Sequence, residues 1–221
     1  MPFHFLNQRH KPLFGMIVLA VGLLALSGCT AVRDIVAGPT LTPPPPNGTR
    51  IEPPIDVPAD ITLTSHTGEP LSFGDLRGRY SLIYFGYTHC PDVCPLTLAE
   101  FNRVALTLGE DADRVNFVMV SVDGRRDTPE RLAAYLPSFN PDFIGLTTVT
   151  PEDEASLTRA TEVFGIYYEY EEVEDTAADY LVAHTASTFL LNPEGQYIIT
   201  YPYQTPPEII AGDIQQMLQE E

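Results

Sequence analysis

Basic residues are scarce in this chain: 12 Lys and Arg stand against 30 Asp and Glu, a formal net charge of −18. A surface that acidic repels phosphates, which excludes nucleic acid as a partner. Cysteine is scarce as well, three in 221 residues, so no framework of disulfides staples the fold. No internal repeat is visible. With 44% hydrophobic residues, the length supports one domain of ordinary size plus appendages.

Nor does the chain hold a comfortable membrane span. Its N-terminal apolar run, Leu13 to Leu26, follows Arg9, His10 and Lys11 and is short for a bilayer crossing. The run ends in Leu26-Ser27-Gly28-Cys29, small residues before a cysteine, which looks like a bacterial lipobox. On this reading residues 1–28 are a lipoprotein signal peptide and Cys29 is lipidated as the mature N-terminus. The protein is then extracytoplasmic, lipid-anchored to the outer face of a cell membrane or in the periplasm. An uncleaved signal anchor is the alternative. Cleavage would also remove Lys11, the only lysine. Residues 29–58 are rich in Pro, Gly and Thr around Pro43-Pro-Pro-Pro46 and read as a semi-rigid membrane-proximal linker. Residues 59–221 remain as the domain.

With Cys29 assigned to the lipid, Cys90 and Cys94 are the only thiols of that domain. They lie in Tyr84-Phe-Gly-Tyr-Thr-His-Cys-Pro-Asp-Val-Cys-Pro95, where the apolar strand Ser81-Leu-Ile-Tyr-Phe85 runs into a turn. A helical pattern follows, with Pro95 expected at its first position, where a missing N–H costs nothing. The partial positive charge of a helix N-terminus favours thiolate over thiol. Three residues separate the two cysteines, one more than in the familiar redox motif Cys-x-x-Cys. Such a pair can close a disulfide or hold a soft cation such as Cu(I) or Zn, given a further ligand from elsewhere. In an oxidising compartment it needs a thiol reductant to stay reduced.

Strand and helix patterns alternate along the domain. A hairpin of Ile61–Thr64 with Glu69–Ser72 precedes the thiol strand, and Arg114–Val122 reads as a strand covered on both faces. Thr128-Pro129-Glu130 and Thr150-Pro-Glu-Asp-Glu154 cap two helices. Phe143–Thr147, Ile166–Tyr170, Ser187–Leu191 and Gln196–Tyr201 are strand-like, and Pro206-Pro-Glu208 opens a last helix. Glu169–Asp179, rich in acids, reads as a solvated inserted loop. Together these give an α/β, thioredoxin-like fold: a mixed, mainly parallel central sheet with helices on both faces and an N-terminal hairpin.

Beyond His4 and His10 of the signal, three histidines remain. His66 sits in a hairpin turn and reads as solvated. His89 abuts Cys90, and adjacent side chains point apart, so it reads as a neighbour of the site. His184 enters the late strand that such a fold lays beside the dithiol corner; a loop histidine without a special partner is the plainer alternative. No proline lies between Tyr180 and Asn192. Thioredoxin-type oxidoreductases place a cis-proline there, so its lack weighs against plain disulfide exchange.

Three stretches carry a family resemblance: Tyr84–Pro95; Val120-Ser-Val-Asp123 with Arg126-Asp-Thr-Pro129; and Tyr180-Leu-Val-Ala-His184 with Phe189-Leu-Leu-Asn-Pro-Glu-Gly195. The chain resembles the Sco/SenC family of copper metallochaperones, here in lipoprotein form. The resemblance implies copper, as Cu(I), Cu(II) or both, held by Cys90, Cys94 and His184. It makes Asp92 and Asp123 candidates for supporting positions around the metal. It also implies a carrier rather than an enzyme, receiving copper from an upstream donor and delivering it to the binuclear copper centre of cytochrome c oxidase subunit II. Gly124-Arg125 replaces the usual Pro-Glu, and Ala183 and Thr185 flank the histidine where Asp and Ser are common. A thiol–disulfide oxidoreductase that keeps the oxidase cysteines, or other extracytoplasmic thiols, reduced is the alternative. A peroxidase ranks last, since no Arg lies within the cysteine block.

Overall fold

Two near-continuous apolar segments make the centre of the molecule. In the computed structural model, which describes residues 48–172 and 180–220, both are strands: β4 (Tyr80–Gly86), buried throughout, and β5 (Val115–Ser121), buried at all but one position. They pair in parallel, and β6 (Ile144–Thr147) extends the parallel run beyond β5. The rest of the eight-stranded sheet is antiparallel. On one side of β4 come β9 (Thr188–Leu191), β10 (Gln196–Tyr201) and β1 (Thr49–Asp56); beyond β6 lie β2 (Thr62–Ser65) and β3 (Pro70–Ser72), the expected hairpin. The sheet is therefore mixed, but parallel only in its central three strands rather than mainly so.

Helices cover both faces, and the alternation of β4 shows which. Tyr84 packs edge-on to Phe101 of α1 (Val93–Leu108), while its neighbour Phe85 meets Phe164 of α3 (Pro151–Phe164) on the other face. Phe164 also touches Phe73, Phe189 and Tyr197, closing an aromatic core on that side. The C-terminal helix α4 (Pro207–Gln219) packs beside α1, and the short α2 (Pro129–Tyr135) links β5 to β6. The capping expectations hold: Thr128 and Thr150 each accept a backbone N–H from their own first turn, and each is followed by proline.

Three boundaries differ from the sequence reading. β1 falls inside the stretch whose composition reads as linker. It is nearly all exposed, carries Pro53 and Pro54 within a register break, and joins the sheet edge through its backbone, so no hydrophobic pattern betrays it. Glu169–Glu172, read as solvated loop, belong to β7 (Tyr168–Glu172), which pairs with β8 (Tyr180–His184) in a separate two-stranded sheet. Helix α1 begins at Val93, ahead of Pro95. Proline fits anywhere in that first turn, because none of its N–H groups has an intrahelical acceptor.

Gly124, three residues past the end of β5, is packed against Thr148. A Cβ there would overlap Thr148 Oγ1 and come within 2.9 Å of the Thr148 carbonyl oxygen, which cannot rotate away. Gly124→Val is expected to cost about 1–3 kcal/mol by overpacking. Urea unfolding at unchanged m-value reads this; an unaltered midpoint would show the loop yields freely.

Candidate metal centre

The two thiols sit where β4 gives way to α1. Cys90 is half-buried and Cys94 has no exposed surface; both are free thiols. Cys94 lies in the first turn of α1, and its backbone N–H donates to Cys90 Sγ at 3.5 Å. Asp92, at the N-cap position, makes no side-chain cap, so the Cys90 sulfur accepts one of the first-turn N–H groups that caps usually satisfy. Hydrogen bonding from Cys94, with smaller help from the amides of Asp92 and Cys94, holds the Cys90 thiol down to about 3. The Cys90 side chain and then burial push the Cys94 thiol above its ordinary range. At neutral pH the pair is one thiolate beside one thiol.

His184 ends β8 and reaches the same place from the other side. Its Nε2 is 3.4 Å from Cys94 Sγ. Its Nδ1 is 3.0 Å from the Thr185 carbonyl, which can only accept, so Nδ1 carries the proton. In the neutral ring Nε2 is then the nitrogen with the free lone pair, turned toward the sulfurs. The rings of Tyr84 and Tyr87 stand edge-on to the imidazole, each with centroids 5.8 Å away. Sγ of Cys90, Sγ of Cys94 and a His184 nitrogen all lie within 4.8 Å of one another, a spacing that suits one shared ion. Two soft sulfurs and one imidazole form a donor set that fits copper.

The remaining candidates divide. Asp92 is exposed and bonded to nothing through its side chain among the described contacts. Asp123 is fully buried, accepting from Tyr180 Oη at 2.7 Å and Arg126 Nε at 2.6 Å. His66 is less solvated than its turn suggests, its Nδ1 accepting from the Gly145 N–H at 3.1 Å. His89 is part of the rim: its Nδ1 is 3.1 Å from Thr88 Oγ1 and 3.6 Å from Asp127. His89, Asp123 and Asp127 also come close enough together to share an ion. Both carboxylates are already satisfied, Asp123 by Tyr180 and Arg126, Asp127 by Thr88 and Ser121, so that group reads as a hydrogen-bond network. Cys29 lies outside the described residues.

One residue of the site escapes sequence reasoning. Tyr84 is fully buried, and its hydroxyl donates to Cys94 Sγ at 3.3 Å. Burial pushes its phenol up, so it stays a donor. A tyrosine in an otherwise apolar strand needs a partner for its hydroxyl, and that is the signal available in the sequence.

Known proteins resemble this chain in sequence and in fold. A family profile described as SCO1/SenC matches residues 51–219. A SCO2-like protein of Rickettsia felis is 31% identical over 156 residues, covering 71% of this chain and 74% of its own. The structure of Bradyrhizobium japonicum ScoI with copper bound superposes at a TM-score of 0.64 and 36% identity, over 73% of this chain and 98% of that one. A SCO1/SenC family lipoprotein of Bacillus anthracis superposes at 0.62 and 25% identity, over 76% and 99% respectively.

Proposed function

Because this chain belongs to the SCO1/SenC family, we propose that it is an extracytoplasmic copper carrier serving cytochrome c oxidase assembly. On this reading it takes copper from an upstream donor and delivers it to the binuclear centre of subunit II. The observation that carries the proposal is the convergence of Cys90 from the β4–α1 loop, Cys94 from α1 and His184 from β8 within 4.8 Å. The copper-bound ScoI relative supports the choice of cargo.

Each residue then has a definite task. Cys90, the more exposed sulfur and the one whose thiol is pulled down, is the one open to incoming metal. Cys94 gives up its proton on binding, so loading releases acid and requires both cysteines reduced. His184 presents Nε2, preset by the Thr185 carbonyl. Three donors leave copper open to a competing ligand on the receiving protein. Exposed Leu96, two residues beyond Cys94, and exposed Tyr167, bonded through its backbone to Thr185, offer that partner apolar surface beside the site. The similarity to a family lipoprotein supports anchoring through Cys29 after removal of residues 1–28, with the folded domain starting near Thr49 rather than at residue 59.

Copper stoichiometry and the visible spectrum of the reduced protein test the site. Wild type is expected to bind one copper per chain with a thiolate-to-Cu(II) charge-transfer band. His184→Ala is expected to weaken that band and lower Cu(II) affinity by about 100-fold or more, since even partners beyond the ligands cost 10–100-fold. A mutant that binds Cu(II) unchanged removes His184 from the site.

The asymmetry of the thiols favours a second reading, as a thiol–disulfide oxidoreductase. An accessible Cys90 thiolate could attack a substrate disulfide, and Cys94 could displace the mixed disulfide. The two cysteines then lose two electrons and end as a disulfide, while the substrate leaves as two thiols. This activity should survive loss of His184.

A further inference from the structure

The hairpin that carries His184 is not part of the main sheet. Strands β7 and β8 pair only with each other among the described residues, and Val182 is the one β8 side chain that is fully buried. Hydrophobic packing alone therefore holds this element weakly. Side-chain bonds must fix where the imidazole stands.

Apart from the Val182 N–H, which donates to Tyr87 Oη at 3.3 Å, those bonds converge on the five-residue turn Asp123-Gly-Arg-Arg-Asp127 at the end of β5. At one end of the turn, Asp127 accepts from the Thr88 N–H at 2.9 Å, from Thr88 Oγ1 at 2.6 Å and from Ser121 Oγ at 2.7 Å. Thr88 lies two residues before Cys90, so this carboxylate pins the thiol loop. At the other end, Asp123 accepts from Arg126 Nε, and Arg126 Nη1 donates to the Tyr180 carbonyl at 3.0 Å. Its guanidinium also stacks 3.6 Å from the Tyr180 ring centroid, while the Tyr180 hydroxyl returns to Asp123. Arg125 lies 3.9 Å over Tyr170, whose hydroxyl donates to the Val122 carbonyl. Tyr180 opens β8 and His184 ends it.

We infer that Arg126 is a positioning residue for His184, clamping the β7–β8 hairpin so that the imidazole completes a site whose thiols the same turn holds through Asp127. The inference rests on the copper-carrier reading. It makes a division that the reading alone does not. Two soft thiolates satisfy Cu(I), whereas imidazole matters most to Cu(II). Loosening the Arg126 clamp should weaken Cu(II) and spare Cu(I).

The test uses the full reduced chain, with Arg126→Gln and the double variant Asp123→Asn/Arg126→Gln, which avoids an unpaired buried carboxylate if the single variant folds poorly. Three quantities are read: Cu(II) affinity with its charge-transfer band, Cu(I) affinity, and amide hydrogen exchange of β8 in the metal-free protein. We expect Cu(II) affinity to fall about 10–100-fold, Cu(I) affinity to stay within about threefold, and β8 amides to exchange faster. Arg126→Lys, which keeps the charge but not the planar fork, should rescue only in part. Faster exchange with an unchanged Cu(II) band would overturn the inference, as would equal loss of both oxidation states. Failure of wild type to bind copper would instead sink the carrier reading.

Discussion

Replacing Cys94 with serine is expected to cost the protein more than about 100-fold in Cu(I) affinity, and Cys90→Ser to do the same. Cu(I) is a soft ion, and a serine hydroxyl is a hard donor that stays protonated at neutral pH, so each variant leaves one sulfur where there were two. Partners that merely orient a ligand already cost 10–100-fold, and a ligand itself must exceed that. The two variants differ in their cause. At position 90 a half-exposed thiolate is lost. At position 94 the loss is deeper, because the sulfur is buried beneath the first turn of α1 and is addressed by both Tyr84 and His184. Competition against a Cu(I) chelator measures both. Affinity within about tenfold of wild type for either variant would mean that the pair does not act as joint ligands.

The second large effect is a difference in pH profile. Alkylation of the reduced, metal-free protein should label Cys90 at a rate nearly flat between pH 5 and 8, because a thiol held near 3 is fully ionised across that range. An ordinary cysteine speeds up by several hundred-fold over the same range, as its thiolate fraction rises toward a pKa of about 8.5. Cys94 should stay unlabelled until the protein unfolds. The same shift has a sign for stability. The unfolded chain carries the extra proton between about pH 3 and about pH 8.5, so the contribution of the Cys90 thiolate is complete at the upper limit and is lost as pH falls toward about 3. A labelling rate that climbs tenfold per pH unit would show an unperturbed thiol.

Local chemistry was legible in the sequence; long-range chemistry was legible only in part. An apolar strand, two thiols and a proline-bearing helix start are contiguous, so the corner at Cys90 and Cys94 needs no tertiary knowledge. His184 stands 90 residues from Cys94 in sequence; alternating strands and helices placed it beside the corner, and only the family resemblance made it a ligand. Arg126, Asp123 and Tyr180 were not legible as a unit. Charged residues after a strand look like solvated loop, and nothing local says that Asp123 will be sealed from water by an arginine three positions on and a tyrosine from another hairpin. β1 was hidden for the opposite reason. It joins the sheet through backbone hydrogen bonds that any side chains would permit.

The burial difference between the two sulfurs sets an order of exit. Cys94 has no surface that an outside group can touch, whereas Cys90 and His184 are only partly covered. In the proposed hand-over an acceptor thiolate would therefore enter beside these two and displace them, while the bond to Cys94 would break last and from within. Hand-over becomes a relay with an invisible final runner. Its observed rate should rise with acceptor concentration and then level off, the plateau reporting how fast Cys94 lets go.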